Sequence, residues 1–130
     1  MPFPPPPLAR AITRTLLTPE EMEWVEGIAY NNAGHGFDAF GMHPTYVALG
    51  LAALMPMYRN YFRVRSYGAE NIPTEGQAIV AANHSGALPT DGAMLWTDVL
   101  LQTRRVLRPI ADHFVTTLPS IGSLFSRGGV

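Results

Sequence analysis

The chain has 130 residues, enough for one modest domain, and a net charge of −1 at pH 7 from nine Arg and no Lys against ten acidic residues. Arginines that form no continuous basic stripe argue against a nucleic-acid partner. The absence of Cys excludes a disulfide-stapled scaffold, cysteine ligands and a cysteine nucleophile.

The N-terminus, Met1-Pro2-Phe3-Pro4-Pro5-Pro6-Pro7, lacks the charged start and continuous apolar run of a secretory signal. Its prolines favour an extended polyproline II segment, so residues 1–17 are expected to be a disordered leader. No stretch reaches the roughly 20 apolar residues of a membrane-spanning helix. Thr18-Pro19-Glu20-Glu21 then offers a hydroxyl cap, proline at the first helical position and Glu three residues after the cap. That start predicts a helix to about Ala29, with Met22, Val25, Ile28 and Ala29 at near-helical spacing. Residues 31–42, rich in Gly and Asn, read as a loop in which Asp38 caps or turns the chain. His35 and His43 read as structural or solvent-facing, and Trp24 and Trp96 as packing residues on helices.

Pro44 opens a second helix that runs towards Tyr58 and is apolar nearly all round. Such a helix is buried in a core or lies in a lipid interface. Tyr46, Tyr58, Tyr61 and Phe62, with Arg59, Arg63 and Arg65, suit a headgroup layer at its flanks. Residues 18–60 thus form a block of N-terminal helices, one of them either core or membrane-interfacial.

From Tyr61 the period changes. Residues 61–67 alternate in part, predicting a strand with one wet face, and 68–76 form a turn-rich connection. The apolar run 78–82 predicts a strand buried on both faces. After a loop over 83–90, a helix capped by Asp91 is expected to carry Met94, Leu95, Val99 and Leu100 and to close at Arg104-Arg105. Residues 106–111 read as a third strand and 113–127 as a helix weakened by Pro119 and Gly122. The order helix, helix, strand, strand, helix, strand, helix predicts an α/β domain.

In the loop after the second strand, His84 sits at a strand end and Asp91 at a helix start, where α/β folds place ligands. An imidazole, with an unperturbed pKa of about 6.5, takes a proton near neutral pH. A carboxylate on its other nitrogen fixes the tautomer and stabilises the imidazolium, and Gly86 and Pro89 could bend the loop to bring the two together. On these features alone, a structural His–Asp contact is the commoner arrangement.

Asn83-His84 followed by Asp91 resembles the first motif of the lysophospholipid and 1-acylglycerol-3-phosphate acyltransferase family. Tyr61-Phe62-Arg63-Val64 through Gly68-Ala69-Glu70-Asn71-Ile72-Pro73 is similar to the strand and turn preceding that motif. Arg108-Pro109-Ile110-Ala111-Asp112-His113-Phe114 and residues 122–130 resemble the approach to the family's second motif. The family's usual motif spaces His and Asp by four residues. Here six intervene, in the longer Asn-His-Ser-Gly-x-Leu-Pro-x-Asp form of bacterial members. The sequence given ends at Val130, before the family's phosphate-recognising Arg and Pro-Glu-Gly block, so the resemblance implies an incomplete α/β domain over 61–130. Arg127 precedes the Gly pair and reads as a surface residue.

The resemblance implies acyl transfer from an acyl-CoA or acyl carrier protein to a hydroxyl of a lysophospholipid or related glycerolipid. His84 would be the general base and Asp91 its orienting partner, with no metal and no cofactor beyond the acyl thioester co-substrate. It also implies a peripheral or monotopic protein at the cytoplasmic face of a membrane. Three rivals stand beside it. A serine hydrolase built on Ser85 lacks the Gly-x-Ser-x-Gly elbow. A metal-dependent hydrolase could draw on His84, Asp91, Asp112 and His113, without diagnostic spacing. The third is a non-catalytic membrane-surface or partner-binding piece.

Overall fold

The computed structural model describes residues 7–28, 30–34, 36–84 and 89–110. The expected helix over 113–127, the last residue of the third expected strand, and Met1, His35, Asp112, His113 and Arg127 lie outside the described residues, as does the side chain of Trp24.

Four α-helices appear where the sequence supplies starts and apolar faces: α1 (Pro7–Leu16), α2 (Pro19–Glu26), α3 (Pro44–Pro56) and α4 (Thr90–Thr103). Residues 7–16 of the expected disordered leader over 1–17 form helix α1, and residues 1–6 lie outside the described residues. The last proline of the run sits at its first turn, where a missing N–H costs nothing. Thr13 and, just past the helix, Leu17 are buried at i, i+4 spacing, and α1 packs on α3.

Helix α2 starts as its capping box dictates. The Thr18 hydroxyl accepts from the Glu21 N–H at 3.2 Å, and the Glu21 carboxylate accepts from the Thr18 N–H at 2.8 Å. It stops at Glu26, short of the expected Ala29, because Gly27 follows: its N–H donates to the Glu23 carbonyl at 3.1 Å and the Ile28 N–H closes onto the Val25 carbonyl at 3.2 Å. The other oxygen of Glu21 pairs with Arg59, tying α2 to the chain beyond α3.

Helix α3 is the centre of the molecule. It packs against α1, α2 and α4, and Val47, Leu51 and Ala52 are fully buried within a core that also takes Leu17, Val25, Met42, Met55, Trp96 and Leu100. Neighbours on several sides explain an apolar surface all round, so its hydrophobicity belongs to the core and not to a lipid interface. Pro56, with no N–H to give the helix, precedes a π-helical turn over Met57–Tyr61, in which the Phe62 N–H reaches back to the Met57 carbonyl at 2.8 Å.

The expected strands do not form among the described residues, whose only β pairing is an isolated bridge between Asn32 and Asp38. The described residues are thus helical and do not show the α/β character that was expected. Tyr61 belongs to the π turn, and Arg63 takes φ +50°, which breaks an extended run. Gly68, at φ +76°, opens a short 3₁₀ turn over Ala69–Asn71, a backbone position suited to glycine. The run 78–82 was expected to be buried on both faces, yet Ile79 is 96% exposed. A buried strand requires ladder partners on its edges and a layer on each face, and no described residue supplies them. In 106–110, Val106 and Leu107 lean on the core, and the Leu107 carbonyl accepts from the Trp96 indole N–H at 3.1 Å.

Candidate active site

The two residues singled out in the sequence meet. His84 Nδ1 lies 2.8 Å from Asp91 Oδ1 and 3.0 Å from Oδ2. Facing a carboxylate, Nδ1 is the donor, which leaves Nε2 as the nitrogen able to accept a proton. Asp91 is not the cap that was expected. Helix α4 begins at Thr90 and Asp91 stands in its first turn, where Oδ1 also accepts from the Gly92 N–H at 2.7 Å. A carboxylate there sits favourably at the positive end of the helix dipole. Both side chains reach solvent, His84 at 54% and Asp91 at 39% exposure, so a substrate hydroxyl could approach the imidazole. Ser85, Gly86, Ala87 and Leu88, including the Gly86 expected to bend the loop, lie outside the described residues.

Helix α4 holds the preceding segment at further points. Asp98, seven residues after Asp91 and thus on the same helix face, accepts from the Tyr58 hydroxyl at 2.6 Å and from the Ser66 hydroxyl at 2.7 Å. Burial first, and then the Asp98 carboxylate, push the Tyr58 phenol up to about 12. Arg105, a further seven residues along, donates to the Pro73 and Gly76 carbonyls. Positions 91, 98 and 105 therefore fasten five residues of the 58–84 segment to one helix and its exit: Tyr58, Ser66, Pro73, Gly76 and His84. The sequence reading missed Tyr58, Ser66, Asp98 and Arg105; the seven-residue spacing of the charges was the available signal.

Around the N-terminal loop, Asp38 Oδ1 accepts from the Phe40 and Met42 N–H groups at 2.9 Å each, and its other oxygen pairs with Arg108. Asp38 thus shapes the loop, as expected. His43 caps α3, its Nδ1 accepting from the Thr45 N–H at 3.1 Å, and burial lowers its pKa from 6.5. A cleft of about 380 Å³ between α1, α2 and the start of α3 is lined by Arg10, Arg14, Tyr30 and His43, and neither His84 nor Asp91 borders it. Among the described residues no three His, Asp or Glu side chains gather as a metal site, and no helix is long and apolar enough to cross a membrane.

A histidine held by a carboxylate at a helix start, with no partner on its second nitrogen among the described residues, is an arrangement suited to general-base chemistry on hydroxyl groups. The chain belongs to the Acyltransferase family, whose sequence profile matches residues 63–130 and so includes both His84 and Asp91. An uncharacterized protein of Mycobacterium tuberculosis is 38% identical over 98 residues, covering 73% of this chain and 27% of that protein. One of Mycobacterium leprae is 37% identical over 95 residues, 71% of this chain and 26% of the relative. A Bos taurus protein named "DGAT1/2-independent enzyme synthesizing storage lipids" is 36% identical over 58 residues, 45% of this chain and 17% of its own length. The chain thus spans about a quarter of the length of its mycobacterial relatives. No solved structure matches it with significance.

Proposed function

We propose that this chain carries the general-base pair of an enzyme that moves an acyl group from a thioester, acyl-CoA or acyl carrier protein, to a hydroxyl of a lysophospholipid or related glycerolipid. The observation that carries the reading is the His84–Asp91 contact at 2.8 and 3.0 Å inside the segment matched by the family. His84 Nε2 removes the proton of the acceptor hydroxyl as its oxygen attacks the thioester carbonyl. Asp91 holds Nδ1–H and stabilises the imidazolium. Collapse of the tetrahedral intermediate breaks the C–S bond, and the imidazolium returns the proton to the departing thiolate. The balance closes with an ester and a free thiol, and with no covalent enzyme intermediate. The bovine relative's name, an enzyme synthesizing storage lipids, supports a lipid acceptor. In this reading the segments 61–67, 78–82 and 106–111 pair as strands of an α/β domain in the longer relatives, and the enzyme works at the cytoplasmic face of a membrane.

The test is thiol release from an acyl-CoA in the presence of lysophosphatidate. It uses this chain and, in parallel, the Mycobacterium tuberculosis relative substituted at the matching positions. His84→Ala is expected to lower the rate by on the order of 10²–10⁴-fold, and Asp91→Asn to lower it with folding intact. Turnover that survives His84→Ala in the active relative overturns the assignment.

A further inference from the structure

The membrane part of that reading now needs a different surface, because α3 is enclosed by other helices. The residues flanking it divide sharply. Tyr46 and Tyr58 are buried, and Arg59 is engaged by Glu21. Tyr61 and Tyr67 are 75% and 85% exposed, Phe62 is 43% exposed, and Arg63 and Arg65 between them are exposed as well. Residues 61, 63, 65 and 67 are all turned outward, whereas Val64 and Ser66 are partly buried and Ser66 is fastened to Asp98 on α4. The Phe62 ring stands edge-on to Tyr61 at 4.8 Å between centroids, which makes one aromatic block at the end of the π turn.

We infer that the outward face of residues 61–67 is the chain's docking surface for an anionic bilayer, with Tyr61, Phe62 and Tyr67 seated at headgroup level and Arg63 and Arg65 against lipid phosphates. The inference rests on the proposed membrane location and names the surface that achieves it. Charge and chemistry select the occupant. Among the described residues neither Arg63 nor Arg65 is paired with an acid. The nearest carboxylates in sequence are Glu70 and Glu75, both beyond the Gly68 turn and neither paired with these arginines among the described residues, while Asp98, across the fold, is occupied by Tyr58 and Ser66 on the inner side. Tyrosines with an apolar ring and a polar tip, interleaved with arginine, match the layered polarity of a membrane interface. Arginine near an anionic surface contributes about fivefold in binding per residue. The exposed Ile79 and Ile110 carry no arginine within two positions except Arg108, which is engaged by Asp38.

Flotation of the whole chain with vesicles tests this, using phosphatidylcholine alone and phosphatidylcholine mixed with phosphatidylglycerol. Wild type is expected to float with the mixed vesicles, less so at high salt. Arg63→Gln with Arg65→Gln is expected to weaken binding by about 30-fold, and Tyr61→Ser with Tyr67→Ser is expected to abolish flotation. Ile79→Ser serves as the control for an exposed apolar residue off this face and is expected to float like wild type. All four substituted side chains of the patch are exposed, and circular dichroism verifies the helices. If wild type floats and both double variants float equally well, the surface is wrong while the membrane location stands. If Ile79→Ser alone loses binding, apolar exposure elsewhere is responsible and the inference falls. If wild type floats with neither vesicle, the membrane location itself fails.

Discussion

Asp38 is the side chain on which the N-terminal loop turns. It is buried, it receives two backbone N–H groups, and it meets Arg108 from the far end of the described chain. Burial alone would raise its pKa, but the Met42 N–H, the Arg108 guanidinium and the Phe40 N–H outweigh that and hold it below 3.8. Because the folded carboxyl is the stronger acid, the unfolded chain takes up the proton first. The stabilisation is therefore complete above pH 3.8 and lost as pH falls through the folded value. Asp38→Ala leaves the Phe40 and Met42 donors and the Arg108 charge unanswered. It is expected to destabilise the fold by about 2–3 kcal/mol at neutral pH, read as a lower urea midpoint with an unchanged slope. The difference between wild type and Asp38→Ala should shrink as the pH is taken below 3.8. A difference that stays constant would mean the carboxylate's charge is not what holds the loop.

Helix α4 carries the site on one end and its supports on the other, and here the sequence was legible only in part. The capping box of α2, the apolar α3 and the apolar side chains of α4 are local patterns, and each helix stands within a few residues of its expected place. His84 and Asp91 were also within reach, since a strand-like run ending in histidine and a helix start bracket one short loop. Contacts made across 40 and 32 residues, Tyr58 to Asp98 and Ser66 to Asp98, leave no local trace beyond the seven-residue rhythm of charge. Asp98→Ala is expected to cost about 1–3 kcal/mol by removing the acceptor of both hydroxyls, measured in urea. The same contact has an alkaline signature. The Tyr58 phenol is raised from 10.0 to about 12, so its contribution is complete below pH 10.0 and disappears as pH rises through about 12. Tyr58→Phe should remove that alkaline slope, and an unchanged slope would show that another group titrates there.

At the scale of the molecule, the described chain divides into a packed part and an unpaired part. The packed part, α1 to α3 with α4 laid against them, buries a core around α3, whereas among the described residues the run 78–82 leading to His84 has neither ladder nor cover. The α/β expectation came from apolar runs of strand length, a pattern that reports a need for burial and not the partners that satisfy it. Strand partners are set by long-range pairing that a local apolar run does not encode, and no described residue pairs with 78–82. Amide hydrogen exchange separates the two parts directly, because protection follows closed backbone hydrogen bonds. In this chain the amides of 78–82 should exchange at close to free-peptide rates, while those of Val47, Leu51 and Ala52, fully buried on α3, exchange only on larger opening. In the full-length Mycobacterium tuberculosis relative the matching apolar run should be strongly protected, because the proposed sheet would close its ladder. Equal, rapid exchange in both proteins would mean that this run is not a strand in the family member, and His84 would then need some other element to fix it against Asp91.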